Sequence, residues 1–337
     1  MKRIFSTLLL LLFVFNPAFS GGLHFGPIQA IKSKIGEYNA NIENQRAING
    51  LTNTSTLSLH ATIGNSGTGN GEFKFSDGGD FAGLYVTSSY VLVCDNGNSR
   101  VQNFDVNNNF NSWLGTLDGA SYNFYTSGTR DTGFIPLCSP FVAPSGNIYI
   151  HEALKIDKFS SAGVLLSSWA VTASNFRSFC VDTNENVFIF ANDGDTIEKY
   201  NSTGTLITTF GGFGSVNGKF NNTGYQGILS ADSNNNIYAT DTKNHRIQVF
   251  DNDGVFLKSW TDALINGWHS MCIDENNNIY IGSYNNFNKY SINGTIFKQY
   301  SLGGLYIGTI VGTFVRSNKL YVVDNNNDKI LIYSIPE

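Results

Sequence analysis

One stretch of the sequence decides the fold: residues 237–260, which read IYATDTKNHRIQVFDNDGVFLKSW. It contains three short runs of β-branched and aromatic residues, separated by the polar turn at 242–245 and by a turn that contains Gly254. Such runs, bounded by turn residues, predict three antiparallel strands. A fourth short apolar run, which ends in Asp232, precedes them. The unit is therefore four short strands in about forty residues.

The same unit recurs six times along the chain. An aromatic residue ends the third strand of each copy, and 40 to 55 residues separate one such residue from the next. Four strands per repeat is typical of a propeller blade, and a single blade cannot bury both of its faces. We therefore predict an all-β fold, a six-bladed β-propeller of four-stranded antiparallel blades. The six anchoring aromatic residues are Phe104, Phe159, Tyr200, Phe250, Tyr290 and Tyr333.

The two ends of the repeat array predict how the ring closes. In five copies a second aromatic residue follows the anchoring one by nine or ten positions and marks the outer strand. After Tyr333 too few residues follow to form that strand. The run from Leu57 to Ile63 has the required character, and Ile63-Gly64 corresponds to Phe210-Gly211 of the fourth copy. We expect this N-terminal strand to complete the last blade, which removes an exposed sheet edge.

A glycine-rich lead precedes the first and fourth copies with identical spacing. It reads G-x2-G-x3-G-x-F and begins at Gly64 and at Gly211. Both copies continue to an Asn-x-Arg-x-Gln segment, at 98–102 and 244–248. The pattern resembles the NHL repeat, over about residues 57–335 and most strongly in these two copies. The resemblance implies a six-bladed propeller, the same count that the spacing predicts.

The first 56 residues precede the predicted propeller of residues 57–337. Residues 1–20 read as a signal peptide, with Lys2 and Arg3 before an apolar core and a small-x-small site that ends at Ser20. We predict cleavage near Ser20 and export to the periplasm or the extracellular space. Residues 21–56 form an N-terminal extension in which isoleucines recur at helical spacing, which predicts a part-helical segment. A helix laid on the propeller or left loose is one interpretation, and self-association through it is the other.

The sequence argues against a nucleic-acid partner and against a membrane span. The chain of 337 residues carries a formal net charge of −5, and only 14% of its residues are charged. A mildly acidic chain without clustered Lys and Arg does not suit phosphate contacts, so nucleic acid is not expected as a partner. Beyond the signal peptide, no segment approaches eighteen apolar residues, so no membrane span is expected either.

Candidate metal ligands are few. Asp182-x-Asn184-x-Asn186 and its repeats at Asp232 and Asp274 resemble the start of a calcium loop but lack the Gly and Glu that complete one. The sequence favours hairpin turns there. Zinc catalysis requires about three protein ligands, and the positions expected at the channel mouth contain one histidine. Those positions are Cys138, Arg177, Gly227 and His269. No metal and no cofactor is therefore expected.

We expect an exported, non-catalytic binding platform that presents loops on one propeller face to a protein or glycan partner. Arg100 and Arg246 follow Asp95 and Asp241, so structural pairing within the loop competes with partner contact as an explanation. A mixture of Asn, Arg and aromatic residues on propeller loops suits partner contact. The candidate residues are Asn98, Arg100, Arg177, Asn244, His245, Arg246, Trp268, His269, Asn285 and Phe287.

An enzyme is the alternative interpretation. Peptidyl amidating lyases, the gluconolactonase group and the streptogramin lyases share a similar ring. This similarity implies a lyase or lactonase with a divalent metal in the central channel as the second hypothesis.

The four cysteines fall into two pairs. Cys180 and Cys272 occupy equivalent inner-strand positions two blades apart and are expected to be buried free thiols. Cys94 ends a second strand, and Cys138 begins the first strand of the following blade on the same face of the ring. We predict a disulfide between Cys94 and Cys138.

Overall fold

The computed structural model describes fourteen stretches of the chain. The chain divides into two compact units, Met1–Thr52 and Asn53–Glu337, and every described residue belongs to the second. The predicted signal peptide and N-terminal helix lie outside the described residues. The described residues are 55–75, 83–98, 100–114, 116–117, 120–121, 138–152, 155–171, 178–191, 194–224, 227–262, 264–265, 269–283, 286–302 and 312–336.

The described part of the chain is built from strands joined by turns, which include short 3-10 turns at Asn96–Asn98 and Thr242–Asn244. None of its helices is long and apolar enough to span a membrane. In chain order the strands are β1 (Ser55–Thr56), β2 (Ser58–Ile63), β3 (Leu84–Val86), β4 (Tyr90–Asp95), β5 (Arg100–Asp105), β6 (Phe110–Trp113), β7 (Thr116–Leu117), β8 (Ala120–Ser121), β9 (Cys138–Val142), β10 (Ile148–Glu152), β11 (Lys155–Phe159), β12 (Leu165–Ala170), β13 (Phe179–Val181), β14 (Val187–Ala191), β15 (Thr196–Tyr200), β16 (Leu206–Gly211), β17 (Leu229–Ala231), β18 (Ile237–Asp241), β19 (Arg246–Phe250), β20 (Phe256–Thr261), β21 (Ser270–Ile273), β22 (Ile279–Ser283), β23 (Asn286–Tyr290), β24 (Ile296–Ser301), β25 (Thr313–Arg316), β26 (Lys319–Asp324) and β27 (Lys329–Ser334).

These strands form the six predicted blades. Blades 1 to 5 are β3–β6, β9–β12, β13–β16, β17–β20 and β21–β24, and blade 6 is β25–β27 with β2. In each blade the four strands, named a to d in this order, pair antiparallel with their neighbours. A two-stranded hairpin, β7–β8, follows blade 1. The structure thus confirms an all-β, six-bladed propeller.

The N-terminal strand closes the ring, as predicted. Strand β2 pairs antiparallel with β27, with Ser58 opposite Ser334 and Ile63 opposite Ile330. The segment just before β2 makes a pairing that the sequence did not predict. Strand β1 pairs parallel with β24, so blade 5 has a fifth strand and its sheet is mixed. The buried Leu57 joins the two strands and donates its N–H to the Ser301 carbonyl at 2.8 Å. Residues 55–63 therefore tie blades 5 and 6 together.

The core lies between the blades. Successive residues of a strand point to opposite faces of the sheet, and each face packs against a neighbouring blade. Val91 and Val93 of β4 belong to a cluster shared with blade 6, whereas Leu92 and Cys94 belong to one shared with blade 2. The inner strands are therefore apolar on both faces. The six anchoring aromatic residues are all at most 5% exposed, and each such side chain contributes about 2 kcal/mol by burial.

Glycines in the turns between strands c and d let neighbouring blades approach closely. Gly254 of blade 4 lies against Phe210 of blade 3, and a Cβ built on it would be 2.5 Å from that ring. Gly204 and Gly294 lie in the same way against tryptophans of the preceding blades. Gly254 also has a φ of +85°, which side chains disfavour. The repeated glycine is therefore a packing requirement between blades.

Candidate functional site

The two glycine-rich leads form the same loop twice, before blade 1 (residues 64–73) and before blade 4 (residues 211–220). Each loop contains a parallel β-bridge, Ser66 with Phe73 and Phe213 with Phe220. Gly218 has a φ of +80° and donates its N–H to Gln248 Oε1 at 2.8 Å. The equivalent glycine of the first loop has a φ of +77° and makes the same bond. The shared spacing in the sequence therefore encodes a shared backbone.

A buried carboxylate organises the loop of blade 4. Asp241, at the end of β18, is 0% exposed and accepts a hydrogen bond from Arg246 Nε at 2.6 Å. Gln248 Nε2 donates to it at 3.1 Å, Asn244 Nδ2 at 2.9 and 3.0 Å, and the Asn221 amide at 2.8 Å. A buried charge is tolerated only when it is paired and hydrogen-bonded in this way.

The arginine of this cluster holds the loop backbone. Arg246 Nη2 donates to the carbonyl of Val216 at 2.9 Å and to that of Lys219 at 2.8 Å. Gln248 Nε2 donates to the same Lys219 carbonyl at 2.7 Å. A planar guanidinium with five N–H donors suits this task, because it can bind the carboxylate and the loop carbonyls at once. The loop is therefore fixed from beneath by charged hydrogen bonds.

Blade 1 repeats the cluster with the same residue types. Asp95 pairs with Arg100, whose Nη2 donates to the carbonyls of Gly69 and Glu72 at 2.7 Å each. The Arg100 guanidinium also lies 4.1 Å from the ring centroid of Trp113. Burial raises the pKa of Asp95, and hydrogen bonds from the loop amide, Asn98 and Arg100 act against that rise.

The outward positions of the two loops differ. Phe213 and Val216 are 68% and 67% exposed, and their equivalents in the first loop are Ser66 and Gly69. Ser66 donates to Asp328 at 2.7 Å, whereas Phe213 projects into solvent. Because the first loop forms the same backbone without an apolar side chain at either of these two positions, folding does not require Phe213 and Val216.

Two exposed lysines flank this apolar pair. Lys219 stands where the first loop has Glu72, and Lys243 stands where the first blade has Gly97. The Lys243 amide donates to the Asn221 carbonyl at 2.9 Å, so its turn lies beside the loop. We call Phe213, Val216, Lys219 and Lys243 the blade 4 loop surface. This surface could have been found from the sequence, because an alignment of the two glycine-rich segments shows the positions at which they differ.

Residues 229–250 match the NHL-repeat family model. The match covers strands a to c of blade 4, and so includes the Asp241–Arg246 cluster just described. The NHL repeat is thus the unit that holds the blade 4 loop surface.

Solved structures similar to the chain share its fold at low sequence identity. Virginiamycin B lyase from Staphylococcus aureus is 10% identical, with 78% of this chain and 98% of that chain covered and a TM-score of 0.54. A protein of unknown function from Bacteroides thetaiotaomicron is 14% identical, with 81% and 75% covered and a TM-score of 0.56. The WD40 propeller domain of Doa1 is 14% identical, with 83% and 97% covered and a TM-score of 0.52. A search of curated protein sequences finds no match.

The structure gives several predicted partner-binding residues internal contacts. Arg100 and Arg246 are buried in the two clusters, and Asn98 and Asn244 donate to the carboxylates of the same clusters. Phe287 is also buried. This is the structural pairing that the sequence left open for the two arginines. Whether these side chains also contact a partner stays a prediction.

The two candidate histidines make separate contacts. His269 is buried, with Nε2 3.0 Å from Thr240 Oγ1. His245 is exposed, follows the NHL turn with a φ of +52°, and has Nδ1 2.9 Å from the Ile265 carbonyl. The remaining candidates lie outside the described residues, and their role stays a prediction. They are Arg177, Trp268 and Asn285.

The Asp-x-Asn-x-Asn segments are hairpin turns between strands a and b, as predicted. Asp232 Oδ1 accepts from the amides of Asn234 and Asn236 at 2.9 Å, and Oδ2 accepts from Asn236 Nδ2 at 2.9 Å. Asp182 and Asp274 repeat the arrangement. Within the described residues no three His, Cys, Asp or Glu side chains form a metal-binding group. The divalent-metal enzyme stays an untested alternative.

Two cysteines are free and one is bonded. Cys180 and Cys272 are buried free thiols, and burial raises the pKa of Cys272 to about 12. Cys94 is disulfide-bonded. The side chain of Cys138 lies outside those described, so the Cys94–Cys138 pairing stays a prediction. The packing of β9 beside β4 supports it.

Proposed function

We propose that this propeller is a non-catalytic binding platform that recognises a protein partner through the blade 4 loop surface. One observation carries the proposal: two loops share a backbone, and only one carries an exposed Phe213 and Val216. Exposed apolar side chains that folding does not require are typical of interaction sites. An exposed aromatic residue beside an aliphatic one suits a protein pocket.

The hydrogen bonds beneath the loop support recognition by a preformed surface. Arg246 and Gln248 hold the carbonyls of Val216 and Lys219 before any partner arrives. Less ordering entropy is then lost on association. Lys219 and Lys243 add positive charge in a chain whose net charge is −5. We therefore expect the partner to have an apolar pocket with an acidic rim.

The proposal includes export of the mature chain. Its basis is the pattern of residues 1–20, with Lys2 and Arg3 before an apolar core. Intact mass of the protein recovered from the secreting host tests it. A mass that matches a chain starting near Gly21 supports export. A mass that matches the full chain from Met1 in exported protein contradicts cleavage.

A capture experiment with matched variants tests the partner site. The F213S/V216G variant gives blade 4 the residues that blade 1 has, so we expect its stability to stay within about 0.5 kcal/mol of the wild type. The control is L257S, because Leu257 is a 48% exposed apolar residue on a different strand. We expect a protein that the wild type and L257S capture equally and the double variant loses.

Two results would contradict the proposal. One is equal capture of every partner by all three proteins. The other is binding to a glycan array that F213S/V216G abolishes while no protein is captured, because it would make the partner a carbohydrate.

A further inference from the structure

A cleft of about 170 Å³ lies between blades 6 and 1. It opens on the face that carries the a–b turns, because antiparallel neighbours turn at alternate ends; the blade 4 loop surface lies on the opposite face. Arg316 and Lys319 line it from blade 6, and the Thr87–Ser88 turn lines it from blade 1. We call it the blade 6–1 cleft.

Two positive charges stand side by side in this cleft. Arg316 and Lys319 are direct partners across the β25–β26 hairpin, so their side chains lie on the same face of the sheet. The two turn residues between them, Ser317 and Asn318, have φ values of +50° and +55°. Positive φ at both central positions is typical of the tight two-residue hairpin turn. The turn therefore fixes the two cations opposite each other.

The described part of the chain gives neither of these charges a direct partner. Like charges directly opposite one another destabilise a hairpin, and neither Arg316 nor Lys319 makes an ion pair or a hydrogen bond with any described residue. The carboxylate of Glu275 accepts from the Ser317 amide at 2.8 Å instead. Both cations are half-buried. An arrangement that opposes stability without an internal partner is typical of a ligand site.

The rest of the cleft limits the size and character of a ligand. Val86 and Val91 contribute apolar side chains, and Tyr321 lines the cleft beside the two cations. Ser88 lies on the exposed rim. An apolar cavity of about 150 Å³ accommodates a benzene ring, so this cleft has room for one ring. Arg316 also acts on the phenol of Tyr85. Burial raises the pKa of Tyr85 to about 12, and the positive charge of Arg316 acts against that rise.

We propose that the blade 6–1 cleft binds an anionic group, carboxylate, sulfate or phosphate, on a ligand with a single-ring body. The Arg316 guanidinium would bind two oxygens of the group in its planar fork, and Lys319 would add a point charge. The ring would lie on the apolar floor. This site is separate from the protein-binding role of blade 4, so either proposal can fail without the other.

Binding of simple acidic sugars to the mature protein tests the site. The probes are glucuronate, glucose 6-sulfate and glucose 6-phosphate, with neutral glucose as their control, each titrated by calorimetry at low and at physiological salt. We expect saturable binding of at least one acidic probe, weaker at higher salt. The tightest probe identifies the group.

Matched variants assign the binding to the cleft. R316Q/K319Q removes two charges and is expected to weaken binding at least about tenfold, which corresponds to the loss of one charged hydrogen bond. K219Q/K243Q removes the same charge from the opposite face and should bind as the wild type does. K319Q alone, at the turn, should weaken binding and unfold at no lower temperature than the wild type, because it removes like-charge repulsion. Absence of saturable binding of all acidic probes, equal binding of glucose, or unchanged binding by both cleft variants would overturn the proposal.

Discussion

Removal of Arg246 is expected to destabilise blade 4 and to release its loop. The R246A substitution leaves the carboxylate of Asp241 buried without its cation, and loss of one partner from a buried pair costs about 3–5 kcal/mol. Asp241 keeps hydrogen bonds from Asn221, Asn244 and Gln248. We therefore expect a loss near the lower end, about 3 kcal/mol.

The lysine variant separates charge from geometry. R246K keeps the positive charge, but an ammonium cannot replace the fork that joins Asp241 to the carbonyls of Val216 and Lys219. We expect it to lose about 1–2 kcal/mol, less than R246A. The equivalent R100A change in blade 1 should resemble R246A in size, because Arg100 makes the same contacts.

The assay combines urea unfolding with hydrogen exchange. Unfolding curves give the free energy of each variant, and a D241A/R246A double variant completes a cycle in which the coupling of the pair is measured. Exchange at the amide of Gly218 reports on the loop, and it should accelerate in R246A. A loss below about 1 kcal/mol with unchanged exchange would refute the view that this pair holds the loop.

Three further outcomes follow from the contacts described above. G254A should lower the melting temperature and cost at least about 1 kcal/mol, because the new Cβ meets Phe210 at a φ of +85°; an unchanged melting temperature would contradict it. Burial alone would raise the pKa of Glu185, but hydrogen bonds led by that of Lys158 outweigh it and hold the pKa at about 2. Its stabilisation, about 1 kcal/mol after solvent screening, is complete above the unfolded pKa near 4.5 and lost as pH falls toward 2; E185Q should therefore be less stable than the wild type at pH 7 and equal to it near pH 2, as denaturant titrations at both pH values can check. D232A should lose about 1–2 kcal/mol through its turn amides, and added calcium should leave the melting temperature of both proteins unchanged; a rise seen only with the wild type would restore the metal interpretation.

The sequence predicted the blades well because their requirements repeat. The aromatic residue that ends strand c, from Phe104 to Tyr333, occurs in every copy and is buried in every copy. Closure by residues 58–63 was also predictable, since a propeller needs a partner for β27. The parallel pairing of Ser55–Thr56 with β24 was not, because two residues without periodicity carry no pattern.

The candidate site was harder to predict, because the chemistry of a side chain does not show which way it points. Arg246 is the same residue type whether it binds a partner or its own loop, and only the fold shows that it contacts Val216 and Lys219. Phe213 and Val216 occupy variable positions of the glycine-rich segment, so the repeat pattern does not mark them. Arg316 and Lys319 form a cleft with blade 1, more than 200 residues earlier in the chain, so no local pattern marks it.

Because closure of the ring pairs segments that are far apart in the sequence, we expect it to be a late step of folding. Strand β2 is synthesised about 270 residues before β27, its partner. Until β27 has been made, β2 lacks its native antiparallel partner, so the ring cannot close. Unpaired sheet edges favour association with other chains, so the interval before closure is when we expect the protein to be most open to misassembly.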